Sequence, residues 1–355
     1  MKDTLIVRGA PQEYICEVGS WDNLESHIIR REIKRVLILH GEKSWQVAQP
    51  FFPEFKEVTC FFEHYKNECS YQNAAYFETF VKENQIEGII GIGGGKVLDL
   101  AKLVANHLLL DVFCLPTLAS TCAPYTPISI VYNERGEMID LLFLDQSITL
   151  TLIDPMVILD SPKEFLIAGI GDTLAKWYES DPIISNIQDP SVEIMVARFA
   201  AKSCQENLLN FGSQAIEDLE NKKLSSALVK VIETNIMLAG MVGGFGDKYG
   251  RTSGAHAIHD SITVIPASHN HLHGNKVAYG IMVQLAMEEK WEEIQRMLPF
   301  YQSLNLPFKH AHLGVTEEEM EQVATLAAED EYIHLLPFDV TAAKLINAVK
   351  TLEAL

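Results

Sequence analysis

The sequence predicts an α/β domain built on a mostly parallel, doubly wound sheet, followed by an all-α domain. Three observations carry that reading. Apolar strand-like runs alternate with helix-like patterns through residue 160. A glycine run, Gly91-Ile92-Gly93-Gly94-Gly95-Lys96, sits between an apolar strand and an amphipathic helix. From Ser161 onward the pattern is helical almost to the end. The domains are therefore placed at 1–160 and 161–355, with no linker between them.

Taken in order, Thr4–Val7 and Tyr14–Val18 read as a short antiparallel pair. Asp22-Asn23-Leu24-Glu25 has the form of a capping box and starts a helix running to about Ile33. Arg35–His40 (RVLILH) is a continuous apolar run of the kind buried on both faces. Helix-like residues follow from Lys43, then a strand at Glu57–Phe62 and a helix from Tyr71 to Asn84. Gly88-Ile89-Ile90 leads into the glycine run, after which Val97, Leu100, Ala101, Val104 and Leu108 share one helix face. Val112–Leu115 is the next strand. Ile128–Tyr132 and Met138–Phe143 flank a hairpin turn at Asn133-Glu134-Arg135-Gly136, and Ile148–Ile153 is the last strand. Strands and helices alternating at this spacing build a parallel sheet, and ligands bind at its strand C-termini, where the glycine run falls.

In the second half, Ser161-Pro162-Lys163-Glu164 combines an N-cap, a proline at the first helical position and a capping glutamate. Helices follow at roughly 163–180, 191–210, 223–242, 252–262, 276–297, 316–329 and 341–353. Thr316-Glu317-Glu318-Glu319 is a further capping box.

The 355 residues carry 28 Lys+Arg against 48 Asp+Glu, a net charge of −20. Nucleic-acid binding rests on phosphate neutralisation, so this balance argues against it, and equally against an anionic membrane surface. The partner expected is a small-molecule substrate. Six cysteines show no CxxC and no paired spacing, which points to a reducing compartment. Met1-Lys2-Asp3-Thr4 begins no signal-peptide core, and no apolar run reaches transmembrane length. A cytoplasmic location is expected.

The glycine run has the chemistry of an anion site. Its backbone N–H groups can approach a phosphate closely, the helix dipole favours negative charge, and Lys96 adds a point charge. It matches neither GxGxxG nor GxxxxGK[ST], so its place between strand and helix is what makes it a Rossmann-like pyrophosphate cradle. The helical half holds a histidine cluster: His256, His259, His269, His271 and His273, five of twelve histidines within eighteen residues. A lone helical histidine is ordinarily a core or solvated residue; this density leaves metal binding equally open. Asp172, in the apolar stretch Ala168-Gly169-Ile170-Gly171-Asp172-Thr173, is the candidate anionic ligand, because a buried aspartate is costly without compensation. Two neutral histidines and a carboxylate form a common catalytic metal set with one position open to substrate.

The segments Gly93–Lys102, Pro116–Thr121, Gly169–Lys176, His256-Ala257-Ile258-His259 and His273–Gly280 together resemble the glycerol-dehydrogenase branch of the metal-dependent, iron-containing type alcohol dehydrogenases. The resemblance runs in order along almost the whole chain. It implies a dehydroquinate synthase-like architecture, a nucleotide-binding first domain and a helical, metal-binding catalytic second domain. It also implies Asp172, His256 and His273 as ligands of a divalent metal, zinc ahead of iron. Many iron-type members carry a histidine four residues after the aspartate; here it is Lys176, which suits a three-ligand zinc site better. Gly93, Gly94, Gly95, Lys96, Asp99, Thr117, Ser120, Thr126, Ile128 and Tyr132 fall where the family's cofactor contacts lie. Members are commonly homo-oligomers.

Two departures from glycerol dehydrogenase bear on the chemistry. That enzyme reads Ser-Thr-Asp-Ala-Pro, whereas this chain reads Ser120-Thr121-Cys122-Ala123-Pro124. Losing the carboxylate removes a charge that would repel a substrate carboxylate, worth ~4 kcal/mol at about 4 Å and an effective dielectric near 20. The second follows RVLILH. NAD-selective relatives place an aspartate there for the ribose 2′-OH, whereas this chain has Gly41, so NADP as well as NAD is expected. With Thr126–Ser129, Ala168–Glu179, Gly240–Gly244 and Ile333–Pro337, these departures resemble bacterial hydroxycarboxylate dehydrogenase A. The activity implied is NAD(P)-linked interconversion of 2-oxo and 2-hydroxy acids, with Cys122, His259 and His269 about the substrate pocket. Glycerol oxidation to dihydroxyacetone is the alternative. A 3-dehydroquinate synthase-like lyase is remoter, since that glycine loop continues with Gly-Phe and Tyr-x-Arg-Gly, where this chain has Leu100–Ala105 after Asp99.

Overall fold

The computed structural model describes residues 4–355. In chain order the first half contains β1 (Glu13–Cys16), α1 (Leu24–Ile29), β2 (Arg35–His40), α2 (Glu42–Ala48), β3 (Thr59–His64), α3 (Tyr71–Glu83) and β4 (Gly88–Gly93). It continues with α4 (Gly95–Leu108), β5 (Asp111–Pro116), β6 (Ile128–Tyr132), β7 (Met138–Phe143), β8 (Leu150–Ile153) and α5 (Pro155–Ile158). Six strands form one parallel sheet in the order β1-β8-β5-β4-β2-β3. Alternate residues of each central strand go to opposite faces. Leu37, Leu39 and Ile89 join Val97, Leu98, Ala101 and Phe77 on one side; Val36, Ile38, Ile90 and Ile92 join Trp21, Ile28 and Phe113 on the other. Both faces are covered, which is why RVLILH reads as unbroken apolar sequence.

β6 and β7 stand apart as an antiparallel hairpin. Its turn forms as expected: Gly136 takes φ +77, and Asn133 Oδ1 accepts from the N–H groups of Arg135 and Glu137.

Several expectations are corrected. Thr4–Val7 forms no strand, and β1 instead pairs parallel with β8 as an edge of the main sheet. Glu25 does not close a capping box; its carboxylate accepts the backbone N–H groups of Lys56, Glu57 and Val58, tying α1 to the approach to β3. Ser161 Oγ is buried with no hydrogen-bond partner, so it does not cap the next helix. Of the N-terminal residues read for a signal peptide, Met1 to Asp3 lie outside the described residues.

The second half is helical: α6 (Lys163–Ile184), α7 (Val192–Glu220), α8 (Ser226–Glu233), α9 (Ala239–Gly246), α10 (Gly254–Ile262) and α11 (His273–Met287). It closes with α12 (Trp291–Leu304), α13 (Glu317–Glu329) and α14 (Ala342–Glu353). The expected helix 276–297 is two helices, broken where Glu289 adopts φ 58. Glu288-Glu289-Lys290 contains neither glycine nor proline, so composition does not announce the stop. α8 and α9 are joined by a π-helical turn, Thr234–Leu238. Ser226–Tyr249 is thus one helical stretch of 24 residues, long and apolar enough by composition to cross a membrane, which the sequence reading had not found. More than half of it is buried, with Val242 packed on Ala200, Ala201 and Cys204 of α7, so its apolarity is core packing.

By contact density the chain divides into two compact units. One comprises Arg8–Pro162 with Lys222–Leu224, and the other Lys163–Asn221 and Ser225–Leu355 with residues 4–7.

Candidate active site

In the first unit, β4 ends at Gly93 and α4 begins at Gly95 with Gly94 as N-cap. The turn is tight enough to need these residues. A Cβ on Gly93 would lie 2.9 Å from Val97 Cγ2, and one on Gly91 2.9 Å from Ala101 Cβ. Gly94 O accepts the N–H groups of Val97 and Leu98, so the N–H groups ahead of them sit at the positive end of the helix dipole. Thr117 follows β5 and donates its N–H to Gly93 O. Gly41 follows β2, whose last residue pairs with Ile92, and its N–H donates to Ser44 Oγ, which donates to Ile92 O at 3.1 Å. Gly41, Gly93 to Lys96 and Thr117 are therefore gathered at the C-terminal ends of three neighbouring strands. That is where a doubly wound sheet binds nucleotides.

Lys96 is not a bare charge: its Nζ pairs with Glu68 at 2.7 Å and lies 4.5 Å over the Tyr132 ring. Asp99 is buried and paired with Lys102 at 2.9 Å, and its Oδ2 accepts from Ile130 N. Lys102 also donates to the carbonyls of Ala123, Thr126 and Ile128. This buried ammonium, which the sequence reading passed over, fastens the segment carrying Cys122 and Thr126 to α4. Thr126 is buried, its N–H bonded to Cys122 O; Ser120 and Ile128 are half-buried in the same segment.

In the second unit, α6 supplies Asp172, α10 supplies His256 and the first residue of α11 is His273. α11 packs against both α6 and α10, which brings the three together. One ligand atom from each lies within 4.8 Å of the other two. Asp172 Oδ1 is buried 3.3 Å from His256 Nε2 and 3.4 Å from His273 Nε2, yet makes no aligned hydrogen bond. A buried carboxylate oxygen left without a bond would be costly. Its convergence with two ring nitrogens fits a divalent cation.

The electrostatics agree. Burial works against a charge on Asp172, but the Lys176 ammonium one turn along α6 and the two histidines hold its carboxyl well below the usual range. Burial also opposes a charge on His256, but the Glu179 and Asp172 carboxylates outweigh it and bring the ring up to about 9. A divalent metal held there would take the place of that proton. Burial pulls His259 down to about 3, keeping it neutral, and it joins the cluster through its Nε2, 3.0 Å from His273 Nδ1. His269 does not join; its Nε2 lies 2.8 Å from Thr263 O. Glu179 and Asp260 were missed in the sequence. The available signals were the seven-residue spacing from Asp172, two turns along one helix face, and adjacency to His259.

The iron-containing alcohol dehydrogenase model matches residues 11–155. Over 354 residues, 97% of this chain and 96% of the other, the sequence is 32% identical to hydroxycarboxylate dehydrogenase A of Escherichia coli K12. It is also 32% identical over 352 residues to glycerol dehydrogenase of Thermotoga maritima, covering 97% and 95% of the two chains. The chain belongs to the iron-containing alcohol dehydrogenase family. A crystal structure of a probable glycerol dehydrogenase from Sinorhizobium meliloti 1021 superposes with a TM-score of 0.87 at 29% identity, covering 99% of this chain and 98% of the other. This iron-containing alcohol dehydrogenase homologue is accordingly an oxidoreductase acting on alcohol groups.

Proposed function

We infer that this dehydrogenase interconverts small 2-oxo and 2-hydroxy acids, using a divalent metal held by Asp172, His256 and His273 and a nicotinamide dinucleotide held by the first unit. The observation that carries the metal site is the unbonded Asp172 Oδ1 facing two histidine Nε2 atoms. When bound, the metal supplies a Lewis acid that polarises a carbonyl or acidifies an alcohol, and the nicotinamide supplies or accepts hydride. Zinc suits three nitrogen and oxygen ligands with one open position. The His273 side chain is 46% exposed, so the open side of the triad lies toward it.

For the cofactor, the turn after β4 offers backbone donors to a pyrophosphate, and Gly41 bears on the ribose. Gly41 has no side chain, so the position after β2 carries no carboxylate to reject a 2′-phosphate. This supports NADP alongside NAD.

Two features favour an acid substrate over a polyol. Cys122 stands where glycerol dehydrogenases place an aspartate, and Lys176 puts a buried ammonium on the same helix face as Asp172. Lys176 Nζ donates to Arg251 O at 3.2 Å, which holds the charge beside the triad. An ammonium there attracts a substrate carboxylate and offers nothing comparable to a neutral triose. Lys176→Met is therefore expected to lower kcat/KM for 2-oxobutyrate about 10- to 100-fold, the scale of one charged hydrogen bond, while dihydroxyacetone changes little. Equal losses on both substrates, at full metal content, would remove Lys176 from substrate recognition.

The function itself is tested with zinc-loaded enzyme, NADH and NADPH, comparing 2-oxobutyrate with dihydroxyacetone and running glycerol in reverse. The expected result is a kcat/KM for the 2-oxo acid at least about tenfold higher, the consequence of ~1.4 kcal/mol. A preference for dihydroxyacetone or glycerol would keep the metal and cofactor sites and replace the substrate class by that of the glycerol dehydrogenases.

A further inference from the structure

We propose that Glu179 is a positioning residue that dictates which ring nitrogen of His256 is presented to the metal, with the His259–Asp260 pair doing the same for His273. The proposal rests on the metal assignment above. Glu179 lies two turns beyond Asp172 on α6 and is 3% exposed. Its Oε1 accepts two backbone N–H groups at the start of α10, Ser253 at 2.8 Å and His256 at 2.9 Å. Its Oε2 lies 2.7 Å from His256 Nδ1. One carboxylate thus caps the helix that carries the ligand and holds the ligand's ring.

A carboxylate offers only acceptors, so His256 Nδ1 must carry a hydrogen, and Nε2, facing Asp172, is the nitrogen whose lone pair is open once the ring is neutral. The His273 side runs by the same logic through one more ring. Asp260 Oδ1 lies 2.8 Å from His259 Nδ1, so Nδ1–H donates to it and His259 Nε2 is an acceptor. His273 Nδ1, 3.0 Å away, then donates to His259, and His273 Nε2 faces Asp172. Both chains end with the correct nitrogen open. Neither Glu179 nor Asp260 touches the metal position.

The decisive variant is Glu179→Gln, which keeps the volume and reverses the logic. The two backbone N–H groups hold the amide oxygen, so the amide NH₂ faces His256 Nδ1. Two donors cannot share that contact, and the ring must move its hydrogen to Nε2, where it blocks the ligand lone pair. The apo Glu179→Gln protein is expected to melt close to wild type and to bind zinc 10- to 100-fold more weakly by chelator competition. The cobalt-substituted protein should show an altered visible spectrum. Glu179→Asp, which keeps the acceptor, should recover part of the affinity.

Wild-type zinc affinity and spectrum in Glu179→Gln would overturn the proposal, as would equal losses in the Gln and Asp variants. If Glu179→Gln does not fold, ¹⁵N-histidine spectra of the wild-type zinc protein decide. The resonances lost in His256→Ala must report a protonated Nδ1 and a metal-bound Nε2; the reverse overturns it. Failure of wild type to bind one zinc per chain would instead strike the metal assignment itself.

Discussion

Replacing His273 by alanine is expected to lower kcat/KM by ~10³-fold or more while leaving the melting temperature within a few degrees of wild type. The rate effect follows from removing one of the three proposed ligands of a Lewis acid that would contribute several kcal/mol, at about 1.4 kcal/mol per tenfold. The mild effect on folding follows from position. The His273 side chain is 46% exposed at the first residue of α11, so its loss leaves little cavity. Asp172 is the contrasting case: it is buried, and removing it takes a negative charge away from the buried His256 ring and the Lys176 ammonium, so Asp172→Ala should cost stability as well as metal. Metal content, melting temperature and steady-state rates on the two variants separate the roles. A His273→Ala enzyme that turns over at the wild-type rate would remove His273 from the ligand set.

The second large effect is expected at Gly274→Ala. A Cβ at this position would lie 1.8 Å from Ala168 O and 2.5 Å from its carbonyl carbon. The opposing glycine is equally constrained, since a Cβ on Gly171 would lie 2.4 Å from Gly274 O. Here α6 and α11 meet backbone to backbone, and a methyl group can be admitted only by moving one helix. Overpacking of this kind costs about 3 kcal/mol or more. At ~2–4 °C per kcal/mol for a unit of this size, the melting temperature should fall by roughly 6–12 °C. Function should follow, because Gly171 and Gly274 are the chain neighbours of Asp172 and His273. The close crossing sets the 3.4 Å approach of Asp172 Oδ1 to His273 Nε2. Gly274→Ala should therefore bind zinc more weakly. Calorimetry and metal analysis on that variant test both statements, and a protein with wild-type melting temperature and zinc affinity would sink the argument.

Much of this was legible without coordinates where local chemistry is self-sufficient. RVLILH reads as a strand covered on both faces, because it is short, carries the β-branched residues Val36 and Ile38 and holds four consecutive apolar residues, all of which the structure buries. The glycine run reads as a strand-to-helix turn and Asn133–Gly136 as a hairpin turn, and both form. The capping box at Thr316 and Glu319 forms as written, because both partners lie within one turn. Asp172 and the five-histidine cluster were candidates from residue type and context, and the family resemblance singled out His256 and His273 among the five. Signals failed where the partner is distant in sequence. Glu25 has the spacing of a capping residue but serves the backbone at residues 56 to 58, and the turn at Glu289 carries no breaker residue.

What the sequence by itself determined was most of the elements, their order and the residue types available for phosphate and metal chemistry, since these depend on periodicity, turn propensity and side-chain character over a few residues. What only the tertiary structure decided was which atoms meet. It placed β1 beside β8, turned Asp99 inward to Lys102, left His269 outside the cluster and set Glu179 against His256. Hydrogen bonds and ligand geometry act over about 3 Å. Contacts across tens or hundreds of residues are fixed by helix packing, and local sequence carries no record of them.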